Sequence, residues 1–182
     1  MTAASWGSAP PGAGSPQAGA TLLRTVFRRH AGGVVVITFD DGAVPRGFTA
    51  TSLASASLAP PVVVFGISNS SSCWPGLRVA GSFVVNFLDA AADAVAVRFA
   101  TRGIDRFAPP VRWHRLESGE PRLDGGGAWL RATVVERLPV GDHHLVIGAV
   151  EAGGVQPGAK SALVYHDGAY HGLHGGMTGA RG

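Results

Sequence analysis

The chain has 182 residues, 46% of them hydrophobic and only 15% charged, which suits one domain with a substantial core. Its net charge of +3 comes from 14 arginines and a single lysine, Lys160, with no basic run and no interleaved aromatics; this speaks against a nucleic-acid surface and leaves a modest attraction for phosphorylated small molecules. A single cysteine, Cys73, excludes an internal disulfide and a thiolate metal cluster, and no apolar stretch reaches membrane-spanning length.

Residues 1–20 are mostly Ala, Gly, Pro and Ser, without the basic start or apolar stretch of a signal peptide. They read as a flexible tail, and with the lone cysteine they point to a cytoplasmic protein. Thr21 is placed to cap a helix over about 21–30, with Leu23, Val26, Phe27 and His30 on one face and Gly32-Gly33 ending it. Residues 34–39 form a first strand and Asp40-Asp41-Gly42 a turn. Residues 46–57 make a second strand and 61–67 a third, which its continuous valine run predicts to be buried on both faces.

The loop 68–72, Ser-Asn-Ser-Ser-Ser, precedes a short helix over about 73–79 with Ser72 as N-cap and Pro75 in the first turn. Residues 82–88 read as a strand, 90–99 as a helix and 101–127 as irregular. Strands over 128–138 and 143–152 are joined by Pro139-Val140-Gly141-Asp142. The last hairpin pairs 162–165 with 169–173 around Asp167-Gly168, and 174–182 is a loose tail. Seven or eight strands, a few short helices and no βαβ alternation predict a mainly β domain over 21–173. Its expected form is a closed antiparallel barrel with short capping helices.

No Gly-x-Gly-x-x-Gly, P-loop lysine or Gly-x-Ser-x-Gly elbow is present, so any nucleotide must be held by hydroxyls, backbone amides and arginines. The stretch 46–67 is the most informative. Thr49, Thr51, Ser55 and Ser57 stand at alternate positions, so an extended chain offers hydroxyls on one face and Ala, Leu and Phe on the other. Gly47 lets a bulky group approach the backbone. Such a surface can lie along a flat polar heterocycle; an ordinary half-buried strand rich in Ser and Thr has the same pattern.

The hydroxyls of 68–72 sit before a helix start, where an anion is favoured, although a plain capping loop is the other reading. In Gly141-Asp142-His143-His144 successive strand residues face opposite ways, so one histidine at most points into a given pocket; a surface pair is the alternative. His166 and His171 lie on opposite arms of a tight turn and His174 lies beyond it, a poor metal triad. Cys73, beside Trp74 and Pro75, reads as a filler and not as a nucleophile.

Taken in order, these segments resemble the flavin reductase-like family of FMN-binding split β-barrels. The match runs from Phe27 to about Leu173 through Phe27-Arg28-Arg29-His30-Ala31-Gly32-Gly33, Gly47-Phe48-Thr49-Ala50-Thr51-Ser52, Ser55-Ala56-Ser57, Gly81-Ser82-Phe83-Val84-Val85-Asn86, Arg98-Phe99-Ala100 with Asp105-Arg106-Phe107, Gly141-Asp142-His143 and Tyr165-His166-Asp167-Gly168-Ala169-Tyr170. Gly-x-Thr-x-x-Ser together with Gly-Asp-His is the most specific pair.

The resemblance implies a homodimer with flavin in a cleft near the subunit interface, and reduction of FMN or FAD by NADH or NADPH. It also implies reduced flavin diffusing to a partner monooxygenase. Mapped onto this chain, Thr49, Ala50, Thr51 and Ser52 border the isoalloxazine ring, and Gly47 and Phe99 are counted with the cofactor-binding residues. Ser55 and Ser57 lie toward the ribityl chain, while Ser68, Asn69 and Ser72 belong to the loop receiving the phosphate end. His143 stands on the nicotinamide side as the catalytic candidate. The chain departs from the family at Ser72-Cys73-Trp74-Pro75, where relatives commonly carry Ser-Arg-Thr-like residues. Two other functions fit the same fold: a protein that keeps FMN bound and acts on an organic substrate, and a non-catalytic flavin binder.

Overall fold

The computed structural model describes residues 15–42, 44–157 and 161–173. Most of the expected N-terminal tail, the tail at 174–182 and His174 lie outside the described residues. The first element overturns the tail reading for residues 15–20. Helix α1 (Pro16–Phe27) starts there, because Ser15 accepts a hydrogen bond from the Ala18 amide and Pro16 occupies the first helical position. Among the described residues, no helix is long and apolar enough to cross a membrane.

Seven strands build the main antiparallel sheet. In chain order they are β2 (Val35–Asp40), β3 (Pro45–Ala50), β4 (Ala54–Leu58), β5 (Pro61–Ser68), β6 (Ser82–Phe87), β9 (Ala128–Val140) and β10 (His143–Val155). Across the sheet the order is β3-β2-β6-β9-β10-β5-β4, with two-residue β1 (Gly32–Gly33) preceding β2 in the chain. The single strand expected over 46–57 is therefore two strands at opposite edges of one sheet. A flat sheet of seven strands would hold its edges about 29 Å apart, six spacings of about 4.8 Å. Only Thr51–Leu53 joins them, four steps that reach at most about 14 Å. The sheet must curl until the end of β3 and the start of β4 lie close together. Among the described residues no ladder joins β3 to β4, so the curl is left unpaired at that seam.

Inside the curl, Val35, Ile37 and Phe39 of β2 meet Phe48, Phe65 and Phe83, with Phe65 centred 6.0 Å from Phe48 and 5.1 Å from Phe83. Outside it, Val34 and Val36 meet Leu88, Phe99 and Leu163. Residues 34–37 thus cover two cores, which is why they are apolar without interruption. Strand β5 is not buried on both faces as expected: Val63, Phe65 and Ile67 are buried and the alternate residues are not, because only one side of β5 faces the curl.

The segment 101–127 is less irregular than its Pro and Gly content suggests. It holds a hairpin of β7 (Trp113–Arg115) and β8 (Pro121–Leu123). Buried Asn86 pins that hairpin by accepting from the Leu123 amide at 2.9 Å while donating to the Val36 carbonyl and to Thr38. Strands β9 and β10 run longer than expected and turn on Gly141-Asp142, with Gly141 at φ +57°. The final hairpin of β11 (Leu163–His166) and β12 (Ala169–Gly172) turns at Asp167-Gly168, both at positive φ, as the sequence predicts. Helix α2 (Trp74–Leu77) packs Leu77 and Trp74 against the core inside the curl, and α3 (Asp93–Ala100) lies against β3.

Candidate functional site

A cleft of about 410 Å³ opens where the outer edge of β3 faces the end of β5. Residues Phe48–Ser52 form one side, the stretch from Gly66 to Ser72 another, and Phe99, Ala100, Arg102 and Arg106 a third; His143 enters from the start of β10. Thr49, Ala50, Thr51, Ser52, Ser68, Ser72, Phe99 and His143 are thus brought together from the sequence-predicted set. Gly47, Asn69, Ser55 and Ser57 do not line it.

Several of these side chains are occupied by the protein itself. A Cβ on Gly47 would lie 2.8 Å from the Phe99 ring and 3.0 Å from the Ile37 carbonyl, so the missing side chain makes room for Phe99 and not for a ligand. Phe99 is fully buried and its ring centre lies 5.1 Å from that of Phe107; its side chain belongs to the core. Thr49 donates its hydroxyl to the Ala96 carbonyl at 2.6 Å, fastening β3 to α3. Ser52 accepts from the Gly66 amide at 3.0 Å and donates to the Gly66 carbonyl at 3.2 Å, strapping the unpaired seam to β5. Ser55 and Ser57 sit on edge strand β4, where a bulge between them interrupts the pairing with β5.

Beyond β5 the Ser68 hydroxyl lies 3.0 Å from that of Ser70 and accepts from the Ser70 amide. Asn69 turns away from the cleft: its amide donates to the Asp142 carbonyl, and its side-chain oxygen lies 2.7 Å from His144 Nδ1. Ser72 is not the N-cap. Cys73 holds that position without a capping bond, and α2 is a single turn, because Pro75 and Gly76 leave little helix to propagate. The pleat separates the two histidines as expected. His143 faces the cleft with Nδ1 2.7 Å from Asp142, while His144 stacks on Trp74 with ring centres 3.9 Å apart. The hydrogen bond from His143 holds the Asp142 carboxyl below its ordinary value.

Two cations were not singled out by the sequence reading. Arg106 is pinned by three donations, to the Thr101 carbonyl at 2.9 Å, the Gly47 carbonyl at 2.7 Å and Cys73 Sγ at 3.0 Å. Cys73 is buried, so the filler reading holds, with the addition that its sulfur helps seat this arginine. Arg102 is exposed, and among the described residues it makes no hydrogen bond or ion pair. The signal lay in Arg98-Phe99-Ala100 with Asp105-Arg106-Phe107: Arg98 donates to the Asp105 and Arg106 carbonyls and so shapes the loop that carries both cations.

Among the described residues, no carboxylate lines the cleft. Its β3 side offers the outer peptide groups of an edge strand, suited to the carbonyls and ring nitrogens of a flat heterocycle. The opposite end sets Ser71, Ser72 and two guanidiniums together, suited to a phosphate. The donor set therefore fits a flavin mononucleotide unit. Thr51 and Ser52 also wall a neighbouring cleft of about 710 Å³ with Arg24, Phe27, Arg28, His30 and His166. His166 and His171 lie 6.2 Å apart, and no group of three or more metal-ligating side chains occurs among the described residues.

Residues 27–174 match the family model described as the flavin reductase like domain. An NADH:FMN oxidoreductase of Rhodococcus qingshengii is 44% identical over 151 residues, covering 81% of this chain and 79% of that protein. The reductase subunit of a flavin-dependent monooxygenase from Mycobacterium tuberculosis is 34% identical, covering 87% and 85%. Among solved structures, a homologue of nitrilotriacetate monooxygenase component B from Mycobacterium thermoresistibile superposes with a TM-score of 0.84 at 31% identity, covering 92% of this chain and 94% of that one.

Proposed function

The chain belongs to the flavin reductase like family, and we propose that it is an NAD(P)H:flavin oxidoreductase supplying reduced flavin to a partner monooxygenase. The observation that carries this reading is the single cleft that gathers Thr51, Ser52, Ser68, Ser72 and His143 with the two cations Arg102 and Arg106. The two cofactors supply hydride transfer between nicotinamide and flavin themselves. The protein's share is to bind, align and exclude water.

The outer edge of β3 and the residues that follow it, Phe48 to Ser52, would hold the ring by their peptide groups, and amides there would stabilise the negative charge that the reduced ring carries. Ser72, Arg102 and Arg106 hold the phosphate. His143, oriented by Asp142, meets the nicotinamide, and the adjoining cleft offers Arg24 and Arg28 to the dinucleotide's phosphates. No acid–base pair is needed. Hydroxyls and an open cleft favour a flavin that binds, reacts and leaves, which is what delivery to an oxygenase requires.

The same proposal includes a homodimer and a cytoplasmic location, where NADH is available. Leu22, Leu23, Val26 and Phe27 of α1 are 55–65% exposed, an apolar face that a monomer would leave in water. A second copy covering it would extend the wall of the cleft that Phe27 already lines.

The deciding assay is oxidation of NADH and NADPH by the pure protein with no flavin, FMN, FAD or riboflavin. Turnover that depends on added flavin is expected. Oxidation without added flavin, by a sample still yellow after dialysis, would instead identify a protein that keeps its FMN; no consumption under any condition would identify a binder.

A further inference from the structure

A second cleft, of about 730 Å³, adjoins the first through Ser72 and Arg106, which line both. Its size lies within the range of small-molecule sites, about 300–1,000 Å³. Pro45, Ile104, Pro109 and the indole of Trp113 give it apolar walls, and Arg46, which also lines it, is ion-paired with Asp41 at 2.8 Å. Trp113 is fixed by donating Nε1–H to the Phe107 carbonyl at 3.2 Å and by edge packing on the Phe107 ring, with centres 5.2 Å apart. The carboxylate in this cleft, Asp105, is engaged by the Phe107 amide at 3.0 Å.

Arg106 stands at the junction, held by three bonds that prevent it from following a ligand into either side. A polar ring cleft, a fixed cation and an aromatic-walled cleft follow one another in space. A dinucleotide has the same order: ring, pyrophosphate, ring. We propose that the second cleft receives the adenylate half of FAD, with the pyrophosphate at Ser72 and Arg106 and the adenine against Trp113. The inference rests on the reading of the first cleft as the flavin site. It makes FAD a better ligand than FMN, which has no group to place there. A nicotinamide dinucleotide carries the same adenylate, but the shared junction is the phosphate end of the flavin cleft, which favours FAD.

The test is calorimetric titration of FMN and FAD into the full chain and into Trp113→Ala, Trp113→Phe and Ile104→Trp. Stacking on an aromatic ring sets the expected scale: the ratio of FAD to FMN dissociation constants rises about tenfold in Trp113→Ala and is largely restored in Trp113→Phe. Ile104 is exposed, so Ile104→Trp obstructs the cleft without touching the core and has the same selective effect. Adenosine, which has no phosphate to place at Ser72 and Arg106, should compete with FAD and not with FMN. Parallel changes for both flavins, or no competition by the nucleoside, would overturn the proposal. So would a rise in the KM for NADH with FMN as acceptor, which would assign the adenylate to the nicotinamide dinucleotide. Failure of the unaltered chain to bind FMN would sink the flavin reading itself, a separate result.

Discussion

At the scale of single residues, β3 is fastened to its neighbours by groups that a ligand could equally have used. Glycine, threonine and serine at 47, 49 and 52 suggest a surface for a ring; the structure gives Gly47 to Phe99, Thr49 to the Ala96 carbonyl and Ser52 to Gly66. A hydroxyl in a sequence does not say whether its partner is a ligand or a peptide group, so this was not legible. The separation of His143 from His144 was, because the pleat alone dictates it. Gly47→Ala should therefore destabilise the fold by about 1–3 kcal/mol, since its Cβ meets a buried ring and a backbone carbonyl that cannot both move away. Thermal unfolding measures this, and an unchanged melting temperature would count against the packing argument. His143→Ala acts on the exposed side of the cleft and should leave the melting temperature alone. It should raise the KM for NADH roughly tenfold, the loss of one contact of about 1.4 kcal/mol, with the flavin dissociation constant unchanged.

At the scale of elements, strands were legible where apolar residues alternate or where a turn is marked, as at Asp167-Gly168. The break at Thr51–Leu53 was not, because the alternation of hydroxyls runs straight through it while the chain passes from one sheet edge to the other. Helix α1 was found but begun too late: composition pointed to a tail, whereas the local signal, Ser15 followed by Pro16, marked the true start. Its apolar residues do not enter either core, which makes α1 the element on which the proposed dimer rests. If two copies pair through this face as proposed, Phe27→Asp should leave a monomer, because a carboxylate at the centre of an apolar contact must be desolvated without a partner. Sedimentation or light scattering reads the mass, and circular dichroism should show the strands unchanged. A variant that stays dimeric would move the interface elsewhere.

At the scale of the whole molecule, strand order was beyond the sequence: pairs such as Ser82 with Thr133 and His143 with Ser68 join segments whose separation along the chain no local pattern encodes. One buried carboxylate ties several of these distant pieces together. Glu120, at the edge of the β7–β8 hairpin, accepts from Arg131 of β9 at 2.9 Å, from Ser118 and from Ser82 of β6, and Arg131 reaches on to Glu151 of β10. Burial pushes the Glu120 carboxyl up more than any other single influence, but the hydrogen bonds from Arg131, Ser118 and Ser82 together outweigh it and hold the pKa at about 2, against 4.5 for the free side chain. A group whose pKa is depressed on folding stabilises the protein above its unfolded value, and that contribution is lost as the pH falls from about 4.5 through about 2. The shift corresponds to roughly 3 kcal/mol. Denaturant unfolding at pH 7, 4 and 3 should show stability declining across this window, and Glu120→Gln should lose it already at pH 7 and give a flatter profile. If the variant keeps the slope of the unaltered chain, Glu120 is not the group that links this hairpin to the sheet.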